Sequence, residues 1–67
     1  MTIDVAREKA RQSAYQWRRP CWVVLDRLAC ALVVFCGPHE EYLESEPERF
    51  FPLEIHYPEG ALQSKVG

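Results

Sequence analysis

The segment from Cys21 to Cys36 holds only two charged or polar side chains, those of Asp26 and Arg27. A chain of 67 residues must bury this segment with little else, because it lies near the lower size limit for a single hydrophobic core. As one helix, opened by Pro20 and closed by Gly37, the segment would be apolar on nearly every side. As a β-hairpin, it would spread the same residues over two sheet faces. We favour the hairpin and keep the helix as the alternative.

The predicted hairpin has strands at Trp22–Leu25 and Cys30–Phe35, both rich in β-branched and aromatic residues. A turn at Asp26–Ala29 joins them, although it lacks the Asn-Gly or Asp-Gly pair that marks the tightest hairpins.

Residues 3–17 are predicted to form an amphipathic helix, capped by Thr2 or Asp4 and stopped by Pro20. Apolar residues recur there at spacings of three or four, which places them in one stripe: Ile3, Ala6, Ala10, Ala14 and Trp17. A second stripe is basic and is interpreted first as a solvated helix face: Arg7, Arg11 and Arg18.

The second half of the chain predicts one more strand. Residues 38–49 are a polar connection, with a helical turn over His39–Ser45. In Phe51–Tyr57 apolar and polar residues alternate with period two, so Glu54 and His56 are predicted on an exposed face. Pro52 cannot donate to a ladder, which predicts an edge strand or a strand start. Residues 61–67 are predicted to be a loose tail.

These elements predict an α+β fold in a single domain over residues 1–67. The N-terminal helix packs on a three-stranded antiparallel sheet, in the order helix, hairpin, acidic connection and edge strand. One helix covers one sheet face, whereas the hairpin is apolar on both. The second face is therefore expected to be an exposed apolar patch that binds a partner or forms a homodimer.

No segment has the apolar length of a membrane span or of a secretory signal, so we expect a cytoplasmic protein with three thiols. Four residues spaced C-x8-C-x5-C-x2-H resemble the tristetraprolin type of zinc finger, which binds single-stranded RNA: Cys21, Cys30, Cys36 and His39. The last spacing is one residue short of that family's pattern, and Glu40 stands where its histidine is expected. In a strand, Cys30 and Cys36 would also be about 20 Å apart. We therefore predict no metal and no cofactor.

No catalytic constellation is predicted. His39 beside Glu40, or Cys36 with His39, has no third group to orient it. We expect a binding protein and not an enzyme.

Charge is divided unevenly along the chain. Residues 1–36 carry six basic and three acidic side chains, and residues 37–67 carry two basic and seven acidic ones. An acidic connection of this kind is either a solvated loop or a surface that docks onto a basic partner. The candidate binding residues are Glu40, Glu41, Tyr42, Glu44, Glu46, Glu48 and Glu54. Phe50 and Tyr57 are further candidate aromatic anchors.

In its small size and in these glutamates, the chain resembles small phage-encoded inhibitors of the anti-CRISPR type. The resemblance is to a class of proteins and includes no shared motif. It implies docking on the DNA-binding surface of a CRISPR effector complex in a bacterial host. The alternative is a small nucleic-acid-binding protein, with or without zinc, that uses Arg7, Arg11, Arg18 and Arg19.

Overall fold

The N-terminal helix, α1, spans Ile3–Trp17 in the computed structural model, which describes residues 1–36 and 40–65 except for the side chains of residues 40–42. The Thr2 hydroxyl accepts a hydrogen bond from the Val5 amide at 3.3 Å, and this N-cap satisfies one of the free donors of the first turn. The helix ends at Arg18, whose φ of 55° is left-handed. The predicted bounds are confirmed.

Three fully buried alanines form the inner face of α1: Ala6, Ala10 and Ala14. Their small side chains let the helix axis approach the sheet closely, against Cys21 and Val23. Trp17, the last member of the predicted apolar stripe, is 63% exposed, so its predicted burial is wrong. It lies in the last turn of the helix, beyond the part that joins the core.

The apolar segment is a hairpin, as predicted. Strand β1 (Cys21–Asp26) pairs antiparallel with β2 (Ala31–Cys36), in the register that sets Cys21 opposite Cys36. The Asp26 carboxylate accepts hydrogen bonds from the amides of Leu28 and Ala29 at 3.0 and 3.2 Å, which organises the turn without an Asn-Gly pair. Cys30, predicted as the first residue of the second strand, is instead a left-handed turn residue with φ of 52°.

Cys21 and Cys36 form a disulfide, so the expectation of three thiols is wrong. The hairpin register places these residues opposite each other, 4.3 Å apart between Cα atoms, as in a non-hydrogen-bonded pair. Cys30 is an exposed thiol. The odd cysteine count therefore reflects one cross-strand bond and one unpaired residue.

The sheet has four strands in the order β2-β1-β3-β4, where three were predicted. Strand β3 (Phe50–His56) pairs with β1, and β4 (Leu62–Ser64) pairs with the second half of β3. Part of the predicted tail is therefore a strand, since β3 offers it a free edge. Pro52 lies in the half of β3 that β4 leaves unpaired, which agrees with the limits on proline in a sheet.

The face of the sheet that points away from α1 is better covered than predicted. Val24, Phe50 and Ile55 are all buried there, and the Phe35 and Phe50 rings pack edge to face at 5.2 Å. A second helix, α2 (Glu40–Ser45), contacts β3. It corresponds to the predicted helical turn, except that His39 lies outside the described residues. The expectation of a wholly uncovered apolar face is therefore wrong.

Within the described part of the chain, no helix combines the length and apolar character needed to cross a membrane.

Replacing Ala10 by leucine should destabilise the fold by about 1–3 kcal/mol, because the helix cannot move away from the sheet without losing its other contacts. Urea denaturation followed by circular dichroism measures this. The matched control is Gln12→Leu on the side of α1 that points away from the sheet, with an expected change within about 0.5 kcal/mol. Equal effects of the two variants would contradict the close helix–sheet contact.

Removing the disulfide should lower the free energy of unfolding by about 3 kcal/mol, as expected for a closed loop of about 15 residues. The Cys21→Ala/Cys36→Ala variant and the wild type in dithiothreitol should lose similar amounts in urea denaturation. Cys30→Ser should match the oxidised wild type. A reductant effect that persists in the double variant would show that another group is responsible.

Candidate functional site

The acidic connection continues from α2 into an exposed turn. Glu44, Glu46 and Glu48 are all exposed, and the turn is closed by hydrogen bonds from the amides of Arg49 and Phe50 to the Glu46 carbonyl, at 3.1 and 3.0 Å. Three of the predicted binding carboxylates therefore lie together on the surface. The backbone of the other members, Glu40, Glu41 and Tyr42, belongs to α2, and their side chains lie outside the described part.

Arg49 fastens this acidic turn to the β1–β2 hairpin. Its guanidinium donates to both carboxylate oxygens of Asp26, at 3.1 and 3.2 Å, and lies 3.7 Å from Glu46 Oε1. The Arg27 amide also donates to the Arg49 carbonyl at 2.8 Å. The Arg49 hydrogen bonds hold the pKa of Asp26 below its ordinary value, against the opposing effect of burial. The acidic turn and the hairpin turn therefore form one connected surface.

An apolar side chain stands within this surface. Leu28, at the tip of the hairpin, is 76% exposed, and it lines a shallow groove of about 400 Å³ with Glu46 and Glu48. Beside it, the Arg27 guanidinium lies over the half-exposed Phe51 ring at 5.0 Å. We call this set the acidic surface: Arg27, Leu28, Glu44, Glu46, Glu48 and Phe51.

Sequence reasoning placed Leu28 in the turn at Asp26–Ala29 but did not identify it as a binding residue, because the sequence does not show which groups the turn contacts. It also missed the partners of Asp26 and Arg49, which are 23 residues apart. The only sequence signal for that pair was Asp26 itself, a charged residue inside an otherwise apolar segment.

Glu54 was predicted on the exposed face and is instead buried, with 5% of its surface exposed. Arg7 Nε lies 3.0 and 3.2 Å from its two oxygens, and His56 Nε2 lies 2.9 Å from Oε1. His56 is also buried, at 7% exposed, so its predicted surface position is wrong. A bulge next to Leu53 turns this half of β3 so that α1 covers the polar side of the predicted alternation. Glu54 therefore does not belong to the acidic surface.

The buried carboxylate is held in its ionised form. Burial alone would raise the pKa of Glu54, but the hydrogen bonds from His56 and Arg7 outweigh burial and lower it. The Arg7–Glu54 ion pair joins α1 to β3.

The basic helix face is largely engaged inside the molecule. Arg7 binds Glu54, and Arg11 binds Glu8 through an ion pair that lowers the pKa of Glu8. Arg18 lies over the Tyr15 ring at 4.7 Å. The stripe predicted from the sequence is present, but two of its three cations already have anionic partners.

The cysteine spacing does not produce a zinc site in the described chain. Cys21 and Cys36 are bonded to each other, and Cys30 lies at the opposite end of β2 from Cys36. His39 lies outside the described residues. Over residues 1–36 and 40–65, no three His, Cys, Asp or Glu side chains cluster as metal ligands would.

Comparison with protein-family models, with curated proteins and with solved structures finds no match to this chain. The functional argument therefore depends on the geometry of the acidic surface.

Glu54→Gln should flatten the loss of stability on acidification. The folded-state pKa of Glu54 lies below its ordinary 4.5, so the ion pair stabilises the fold above that value. This contribution is lost as the pH falls through the lower, folded-state pKa. Urea denaturation at a series of acidic pH values measures the effect. Asp26 and Glu8 should retain part of the slope, since their pKa values are lowered too.

The control for this experiment is Glu48→Gln, at an exposed position without an ion pair in the described part of the chain. It should follow the wild-type curve. If Glu54→Gln and Glu48→Gln gave the same curve, the Arg7–Glu54–His56 cluster would not be a determinant of stability.

Proposed function

We propose that this protein is a non-catalytic binding protein that docks its acidic surface onto a basic, nucleic-acid-binding partner protein. The observation that carries the proposal is the exposed Leu28 beside the carboxylates of Glu46 and Glu48, on a turn fixed by Arg49. Protein interfaces commonly combine an apolar anchor at the centre with a charged rim. The acidic surface has both parts within one connected region.

Charge supports the choice of a basic partner. Glu44, Glu46 and Glu48 are exposed. Of the two arginines in the same groove, Arg49 is engaged by Asp26 and Glu46, and Arg27 lies over the Phe51 ring. Exposed carboxylates attract a basic surface and accelerate its association, an effect that salt screens. A nucleic acid would instead be repelled by these carboxylates. We therefore propose that the acidic surface occupies the partner's nucleic-acid-binding site in place of the nucleic acid.

The partner class we propose is a CRISPR effector complex, following the resemblance to small inhibitors of the anti-CRISPR type. Such complexes carry basic channels for DNA, and a small acidic protein would block them by steric and electrostatic competition. The alternative, direct nucleic-acid binding through α1, is less well supported because Arg7 and Arg11 are ion-paired.

A target of this kind acts in the bacterial cytoplasm, where disulfides are rare. The Cys21–Cys36 bond therefore has to resist cellular thiols. Cys21 is fully buried under α1, which restricts the access of an attacking thiolate to that sulfur.

The proposal predicts that the protein binds at least one purified CRISPR effector complex and displaces its target DNA, with an affinity that falls as salt is raised. Glu44→Lys/Glu48→Lys should weaken this binding at least about tenfold, because two attractive charges become repulsive. Leu28→Ala should weaken it without changing the salt dependence. Surface plasmon resonance against a panel of immobilised complexes measures all three.

The matched control is Glu59→Lys, an exposed charge reversal in the turn between β3 and β4. It should bind like the wild type. If Glu44→Lys/Glu48→Lys kept wild-type affinity for every complex that the protein binds, the acidic surface would not be the docking site.

A further inference from the structure

Strand β2 forms an outer edge of the sheet, with β1 on one side only. Cys21 and Cys36 are a non-hydrogen-bonded pair, so the N–H and C=O groups of Cys36 point away from β1. Along β2, the backbone groups of successive residues then point alternately toward β1 and away from it. Val33 points its N–H and C=O toward β1, whereas Leu32 and Val34 point theirs outward. No backbone group of the described residues bonds to these two from the outer side.

The two edges of this sheet are built differently. The edge at β4 is short and fully exposed, and it runs into Lys65, while Pro52 interrupts the part of β3 that β4 does not cover. Short strands, lysine and proline are the usual means of preventing unwanted strand pairing. Strand β2 has none of them: its six residues, Ala31–Cys36, carry no charge and no proline, and their pairing with β1 contains no bulge.

The flank of α1 above β2 is also nearly free of charge. Met1, Lys9 and Ser13 line an open groove of about 760 Å³ with residues 32–36. Helical periodicity places Val5 and Gln16 on the same flank, and Met1 and Val5 are about half exposed. The ion pairs of α1 lie on its other flank, where Arg7 reaches Glu54. The β2 edge and this flank together form one largely apolar side, which includes the Lys9 cation.

We propose that a second copy of this chain covers the β2 edge, through antiparallel pairing of the two β2 strands about a two-fold axis. An uncharged strand places no like charges opposite each other when it pairs with itself. The register centred on Val34 uses every outward-pointing residue, with Leu32 of one copy opposite Cys36 of the other. The dimer is then a single antiparallel sheet of twice the width, with both α1 helices on the same face.

This arrangement closes the open groove on both copies. Pairing about the two-fold axis brings the largely apolar flank of each α1 toward the same flank of the other, so the exposed Met1 and Val5 side chains lose contact with water. The proposal is independent of the acidic surface, which uses other residues.

The test is the mass of the protein in solution, measured by sedimentation equilibrium. The wild type should sediment at twice the chain mass of 7.8 kDa. Val33→Lys places a lysine on the sheet face away from α1, close to the same lysine of the second copy across the two-fold axis. Repulsion between the two charges should weaken the dimer at least about 100-fold. Gln63→Lys adds the same charge at the other sheet edge and should leave the dimer intact.

A charge-swap experiment separates lost pairing from lost folding. Val33→Lys and Val33→Glu should each be monomeric, with wild-type far-ultraviolet circular dichroism, and an equimolar mixture of the two should form a heterodimer. Glu44→Lys/Glu48→Lys should remain dimeric, which distinguishes this proposal from the proposed function. A monomeric wild type would overturn the proposal, even if β2 then paired with a strand of another protein. A mixture that fails to associate would overturn it as well.

Discussion

The contact between the alanine stripe of α1 and the centre of the sheet determines where the rest of the molecule lies. Three side chains of a single methyl group let the helix rest directly on Cys21 and Val23. Because the helix lies so close to the sheet, Arg7 reaches Glu54 on one side of it. On the other side of the helix, a groove remains open along β2. A larger residue in the stripe would therefore disturb both the Arg7–Glu54 ion pair and the groove along β2.

Two carboxylates are buried in the described part of the chain, and each is satisfied by an arginine distant in sequence. Glu54 accepts from Arg7, and Asp26 accepts from Arg49. A buried charge without such a partner would be strongly destabilising, so each pair specifies how its two elements must dock. The first pair joins α1 to β3. The second joins the hairpin tip to the acidic turn, and the surface chemistry at that end of the sheet depends on it.

The acidic surface and the β2 edge differ in chemistry and do not share residues. One is charged with an apolar centre, which suits a separate, basic partner. The other is uncharged and offers backbone hydrogen bonds, which suits a second strand. A dimer formed through β2 would carry two acidic surfaces. It would bind a target with two basic sites more tightly than a monomer does, because the second contact forms within the same complex at a high effective concentration.

The sequence by itself determined the bounds of α1, which follow from its caps and the alanine spacing. It favoured the hairpin over a helix, because a helix apolar on nearly every side could not be buried by so short a chain, and the structure decided for the hairpin. The alternation of apolar and polar residues in β3 predicted a strand, but it did not show which of the two faces α1 would cover. Glu54 was therefore assigned to the solvent-exposed face. Tertiary structure alone decided that burial, the disulfide and strand β4. The burial of Glu54 and the disulfide bring together residues that are far apart in the chain, and packing rather than local periodicity sets their proximity. Strand β4 pairs with nearby β3, but its three residues are too few to show a period.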